Sequence, residues 1–147
     1  FLGKYFYQNT ENLLRHVPEI LGKNFKLTEW NLPAVFDAAN RSHMAVLPLD
    51  PFGTLNPLKA ENRLLMMWRI GLPVLASPSL AYKRVMKATG IDGICNSPEE
   101  WKEKILELMS SVKLRQESVE SGQQYIQETH SERIVLEAWD KLFESVL

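Results

Sequence analysis

Short apolar runs alternate along the chain with longer stretches in which apolar positions recur every three or four residues. That is the pattern of βα units feeding a mostly parallel sheet. Phe1 to Phe6 reads as the end of a strand that turns at Gly3, so the chain starts in mid-element, as though an upstream segment had been removed. Asn9 or Thr10 caps a helix through Leu21, with Leu13, Leu14, Val17, Ile20 and Leu21 on one face, a kink at Pro18 and a stop at Gly22. Phe25 to Trp30 alternates as a strand does, and Leu32 to Arg41 is a short helix with Pro33 in its first turn. Met44 to Leu49 is continuously apolar, which predicts a strand buried on both faces and ended by Pro48. The Pro/Gly/Asn loop from Asp50 to Pro57 leads to a helix from Leu58 to Ile70, closed by Gly71. Pro73 to Ser77 is the next buried strand, Ser79 to Thr89 a helix, and Gly90 to Ile94 a turn into a short strand. Ser97 caps a helix that opens with Pro98-Glu99-Glu100, placing acids on its positive end. From Trp101 to Leu147 the period is helical throughout, broken near Ser110 and Gly122 and recapped near Thr129 or Ser131. The pattern predicts a single α/β domain over residues 1–147 with a helical C-terminal tail.

Composition narrows the function classes. With 147 residues, 45% hydrophobic and 24% charged, the chain falls among ordinary globular domains. At that length about two thirds of the unfolded surface can be buried without a disulfide or metal staple. Seventeen Lys and Arg against eighteen Asp and Glu leave a net charge of −1, so no nucleic acid or anionic membrane is expected to be held by bulk charge, and any anion site has to be local. Cys95 is the single cysteine and His16, His43 and His130 are scattered, so neither a disulfide nor a metal site is expected. Cys95 itself reads as a small buried hydrophobe. The most apolar stretch, Leu64 to Ala76, is thirteen residues broken by Arg69, Gly71 and Pro73, too short to span a bilayer. No basic region precedes an apolar run at the start, and a cytoplasmic location is expected.

Ligands of open parallel sheets sit beyond the carboxyl ends of the strands, which directs attention to Gly3-Lys4, Trp30-Asn31, Asp50 to Leu58, and Ser77-Pro78-Ser79. The third loop is the strongest candidate. It precedes a helix whose unpaired N–H groups and dipole favour a phosphate, and Lys59, Asn62 and Arg63 fall on the expected first turn. Lys59 and Arg63, four apart, would share a face and could grip two phosphates; the plainer reading is a solvated helix end with two surface cations. Asp50 and Ser77 at successive strand ends suggest a phosphoacceptor arrangement, but the pair of acids it needs after the first strand is missing at Gly3-Lys4-Tyr5. Trp68, Trp101, Trp139 and Phe143 read as packing residues, and the run from Glu99 to Glu107 as a solvated face.

The order Met-Ala-Val-Leu-Pro-Leu, loop, Lys59-Ala-Glu-Asn62-Arg63-Leu-Leu, Gly71-Leu-Pro-Val-Leu-Ala-Ser77, then Tyr82 and Gly93, resembles the C-terminal domain of GT-B glycosyltransferases from about Trp30 onward. The Lys-x-x-Asn-Arg-Leu helix start and the Gly-Leu-Pro-Val strand entry are its distinctive parts. The resemblance implies an α/β fold, a Rossmann-like three-layer sandwich with a mostly parallel sheet of about five strands. It also implies a nucleoside diphosphate sugar as donor, with hexosyl transfer to a glycan or other acceptor in polysaccharide biosynthesis. In that family the diphosphate lies against Lys59, Asn62 and Arg63 and the backbone N–H groups of Gly53, Thr54 and Leu55, with Gly3 and Lys4 also directed at phosphate. Trp30 and Asn31 match the place where the base is met. No metal or cofactor is implied, because cations and a helix dipole neutralise the departing diphosphate. The acceptor site and general base belong to an N-terminal Rossmann-like domain that this chain lacks. The chain alone is therefore expected to be inactive, and any peripheral membrane contact belongs to the missing half. Two positions depart from the family: Met66 and Leu58 stand where many relatives carry Glu for the donor ribose. Losing such a partner costs about 1–3 kcal/mol. Glu61 is placed to compensate, and the alternative is a non-catalytic interaction module that has lost donor binding.

Overall fold

A computed structural model describes residues 28, 30–49 and 58–146. By its internal contacts the chain divides into two units, Phe1–Ala34 and Val35–Leu147. Within the first, Asn31 Oδ1 accepts from the Ala34 N–H at 2.8 Å and so caps helix α1, Leu32–Ala39. The expected strand over Phe1–Phe6 and the helix over 9–21 lie outside the described residues. Of the expected strand Phe25–Trp30, Thr28 and Trp30 are described and neither is in a strand.

In the second unit, strands β1 (Ala45–Leu47) and β2 (Val74–Ala76) pair in parallel, Ala45 opposite Val74 and Leu47 opposite Ala76. Helix α2 (Asn62–Arg69) lies between them in sequence, and helix α3 (Leu80–Thr89) leads from β2 to a lone parallel bridge between Ala76 and Ile94. Three helices follow: α4 (Pro98–Ser110), α5 (Val112–Thr129) and α6 (Glu132–Val146).

The expected five-strand, Rossmann-like sandwich is not what forms. Among the described residues helix makes up 66% and strand 6%, with one two-stranded parallel sheet. Side chains that capture the backbone explain where the ladders stop. Pro48 has no N–H to offer, and the N–H of Leu49 donates to Ser77 Oγ (3.0 Å) instead of to a strand. The third run makes the Ala76 N–H to Gly93 carbonyl and Cys95 N–H to Ala76 carbonyl bonds with β2 and then enters the cap of α4, where Ser97 Oγ accepts from the Glu100 N–H. Nor is β1 buried on both faces, since Val46 is 49% exposed.

The strand β2 is buried throughout, and its alternation divides the core. Val74 and Ala76 face a cluster with Leu64, Leu65 and Trp68 of α2, Tyr82 and Val85 of α3, and Ile126 of α5. Leu75 faces the other way, into a smaller cluster with Cys95 and Leu108. Two buried polar atoms in the larger cluster, Trp68 Nε1 and Tyr82 OH, have no hydrogen-bond partner among the described residues.

Helix boundaries follow capping chemistry. Ser97 accepts from the Glu100 N–H (3.3 Å), as the sequence predicts for α4, and Ser79, read from the sequence as the first helical residue, instead caps α3 by accepting from the Tyr82 N–H (3.1 Å). Gly71, at φ +86°, turns the chain out of α2 toward β2. The tail breaks at Ser111, which caps α5 through the Leu114 N–H (3.1 Å), and at His130 and Ser131. Gly122 is not a break. It is buried in the middle of α5 against the indole of Trp68, where an added Cβ would overlap the ring. The glycine read as a helix interruption is a packing notch.

Candidate phosphate-binding site at the start of α2

The loops leaving the carboxyl ends of β1 and β2 are tied to each other by two serines. Ser77 Oγ accepts from the Leu49 N–H (3.0 Å), and Ser79 Oγ donates to the Lys59 carbonyl (3.4 Å) while accepting from Tyr82 N–H. The second contact fixes the main chain of Lys59 beside the first turn of α3. Asn62 and Arg63 are the first two residues of α2, and all three side chains are exposed. Among the described residues neither Lys59 nor Arg63 takes part in an ion pair.

The helix begins later than the periodicity predicts. Its first internal bond runs from the Leu65 N–H to the Glu61 carbonyl (3.0 Å), with Glu61 as N-cap. Lys59 therefore precedes the helix and does not share a helical face with Arg63. The Ser79 contact fixes the Lys59 main chain, and Arg63 follows four positions later in the first turn of the helix. Glu61 makes no side-chain cap bond and no acid lies in the first turn of α2. The leading N–H groups and the positive end of the dipole are thus left without an anionic side chain of the helix itself.

Glu61 is not free to serve a ribose hydroxyl. Its carboxylate, 15% exposed, accepts from Arg84 Nη2 of α3 at 2.6 Å. The positions where relatives of the resembled family carry Glu are occupied by Leu58, which is 74% exposed, and by half-buried Met66. Gly3 and Lys4, and the loop residues Asp50, Gly53, Thr54 and Leu55, lie outside the described residues. Trp30, 58% exposed, and Asn31 belong to the first unit. Sequence reasoning missed Arg84, whose partner lies 23 positions away and leaves no local periodic signal. It named the Ser77-Pro78-Ser79 loop without seeing that both hydroxyls brace its neighbours.

Elsewhere, two cavities of about 290 and 490 Å³ open toward the amino ends of the strands. The first is lined by Gly93, Lys104 and Ser118, the second by His43, Pro73 and Arg115, and neither by Lys59, Asn62 or Arg63. Burial pushes the Cys95 thiol above its ordinary pKa, partly offset by Lys104, so the group is held as a neutral thiol. Among the described residues no three His, Cys, Asp or Glu side chains gather where they could hold a metal ion, and no helix is long and apolar enough to cross a membrane. Comparison with protein-family models, curated proteins and solved structures found no match to this chain.

Proposed function

We propose that this chain is the donor-binding part of a glycosyltransferase, taking a nucleoside diphosphate sugar with its diphosphate at the start of α2. The observation that carries the reading is the placing of Lys59, Asn62 and Arg63 at an uncapped helix N-terminus, with the Lys59 main chain held by Ser79. A diphosphate there meets two cations and unpaired N–H groups, with Asn62 able to donate as well. In the transfer, an acceptor hydroxyl oxygen bonds to the anomeric carbon, and the bond from that carbon to the diphosphate oxygen breaks. The electron pair leaves on the nucleoside diphosphate, whose growing charge Lys59 and Arg63 stabilise. The hydroxyl proton goes to a base on the acceptor-binding domain, which this reading places outside these 147 residues. The 147-residue chain binds donor on this account and does not turn over.

Thermal unfolding in the presence of UDP, GDP, ADP and inorganic pyrophosphate tests the assignment. One nucleotide is expected to raise the midpoint, by the binding linkage that gives about 2.7 kcal/mol at a hundredfold excess over Kd. Lys59→Ala and Arg63→Ala are each expected to abolish most of that rise; a midpoint indifferent to all four compounds refutes the reading.

A second reading, a non-catalytic interaction module, is favoured by α6. That helix has no buried residue and leaves Val135, Leu136, Trp139, Leu142, Phe143 and Val146 exposed. Trp139 and Phe143 stack on one another at 5.9 Å. The apolar residues at Leu58 and Met66, where the resembled family uses Glu, point the same way. Nucleotide indifference together with concentration-dependent association through α6 would select it.

A further inference from the structure

The smaller of the two cavities, about 290 Å³, lies within the second unit, between the start of β2, the turn from Gly90 to Gly93, and α4 and α5. It shares no residue with the phosphate site proposed above, so the two sites are independent. Leu75, Leu108 and Leu114 give it an apolar floor, and its volume is at the low end of small-molecule sites. One wall carries a residue that packing does not explain. The buried face of α5 runs Ser118, Gly122, Ile126, one residue per turn. Gly122 makes room for Trp68 and Ile126 belongs to the larger core cluster, whereas Ser118, only 8% exposed, opens onto the cavity. Among the described residues its hydroxyl has no hydrogen-bond partner, not even the carbonyl one turn back that a helical serine commonly takes. An alanine would fill the same place without an unpaired polar group. A serine there is accounted for by a polar group that enters the cavity.

The surrounding charges fix the sign of that group. Three carboxylates, Asp92, Glu107 and Glu117, line the cavity against one cation, Lys104. Lys104 is already committed, because its Nζ donates to the Asp92 carboxylate and to the Ile94 carbonyl (2.9 Å). Glu117 meets Lys113 only at 3.6 Å, and the Glu107 carboxylate has no ion pair or hydrogen bond among the described residues. The unbalanced charge is therefore negative, and the occupant it favours is a cation. No three of the described acids, histidines and cysteines gather as a metal site, which points to an organic cation. We infer that this cavity binds a small organic ammonium ion, its head met by the Glu107 carboxylate of α4 and Ser118 Oγ of α5 and its short aliphatic body lying on Leu75, Leu108 and Leu114. The serine oxygen accepts from the ammonium N–H, and the carboxylate supplies the opposing charge.

Titration of the isotope-labelled full chain with n-butylammonium chloride, followed by amide chemical shifts, tests the assignment, with n-butanol and sodium butyrate as neutral and anionic probes of the same size. Butylammonium is expected to shift the amides of Gly93, Ser118 and Ser121 along one saturable curve. Butanol should need about a tenfold higher concentration, and butyrate should leave them in place. Ser118→Ala is expected to weaken butylammonium about tenfold through the loss of one charge-assisted hydrogen bond. It should not lower the urea midpoint, since the hydroxyl holds nothing within the fold. Glu107→Gln, at an exposed position outside the core, should weaken binding by a similar factor. A Ser118→Ala chain that binds as before, or that is less stable, makes the serine a structural residue and overturns the inference. So do equal curves for butylammonium and butanol, which would mark an indifferent apolar hollow, a preference for butyrate, which would give the site to Lys104, and the absence of any saturable shift. None of these outcomes bears on the phosphate site.

Discussion

Replacing Gly122 by alanine sets two effects of opposite sign against each other. Gly122 lies in the middle of α5, and in an exposed helix interior Gly→Ala stabilises by about 1 kcal/mol through backbone entropy. Here the new methyl group would overlap the ring atoms Cγ, Cδ2 and Cε2 of Trp68, a side chain with no exposed surface. Trp68 has little freedom to give way. Its ring is packed among Leu64, Val74 and Ile126, and its carbonyl accepts from Gln123 Nε2 (3.1 Å), the residue next to Gly122. Overpacking of a rigid core costs about 1–3 kcal/mol, so the net expectation is a loss of up to about 2 kcal/mol relative to wild type, measured by urea unfolding with the slope held constant. A cycle with Trp68→Leu isolates the cause. That variant empties the space the methyl needs, so the double mutant should be more stable than the sum of the two single effects by at least about 1 kcal/mol. If Gly122→Ala proves stabilising, or if the two substitutions add, the close α2–α5 contact is wrong and Gly122 is merely a tolerated helix glycine.

Two further outcomes are expected. Ser79→Ala removes both the α3 cap and the donor to the Lys59 carbonyl, and should lower stability by about 0.5–2 kcal/mol while weakening pyrophosphate binding; unchanged binding would show that the contact does not position Lys59. Hydrogen bonds from the Asn96 backbone and side chain hold the Glu100 carboxyl below its ordinary pKa, and the backbone N–H of Glu99 with the Ser97 hydroxyl does the same for Glu99. A depressed carboxyl pKa contributes stability above the unfolded-state value that is lost as pH falls through the folded-state value. Acid unfolding below the usual glutamate range should therefore lose part of its steepness in Glu100→Gln, and an unaltered acid limb would count against these bonds.

What could be read from the chain beforehand divides along a physical line. Elements fixed by local patterns were legible: the cap Ser97 and the helix after Asn31 follow from side chains bonding to a backbone a few residues away, and the wholly buried strand around Leu75 and the helical tail from the spacing of apolar positions. Sheet extent was not, because a strand needs a partner: the run after Leu47 loses its next ladder bond to Ser77 Oγ, and the run after Ile94 turns at once into the Ser97 cap of α4. Periodicity registers an apolar face without saying which hydrogen bonds the backbone will make. The candidate site was legible in part for the same reason. Lys59, Asn62 and Arg63 announce themselves as a local motif, whereas the Ser79 brace and the Arg84–Glu61 pair depend on where α3 lands against α2. Gly122 was misread because a glycine signals backbone freedom and close approach with the same letter.

The alternation of β2 carries a consequence for how the second unit comes apart. Three consecutive residues serve two separate apolar assemblies, Val74 and Ala76 on one side and Leu75 on the other. Neither assembly can dissolve without stripping the strand that the other leans on. Damage to Leu108, in the smaller cluster, should thus be felt at Trp68 in the larger one, and the two clusters are expected to melt in a single step, with that short segment acting as the shared spine.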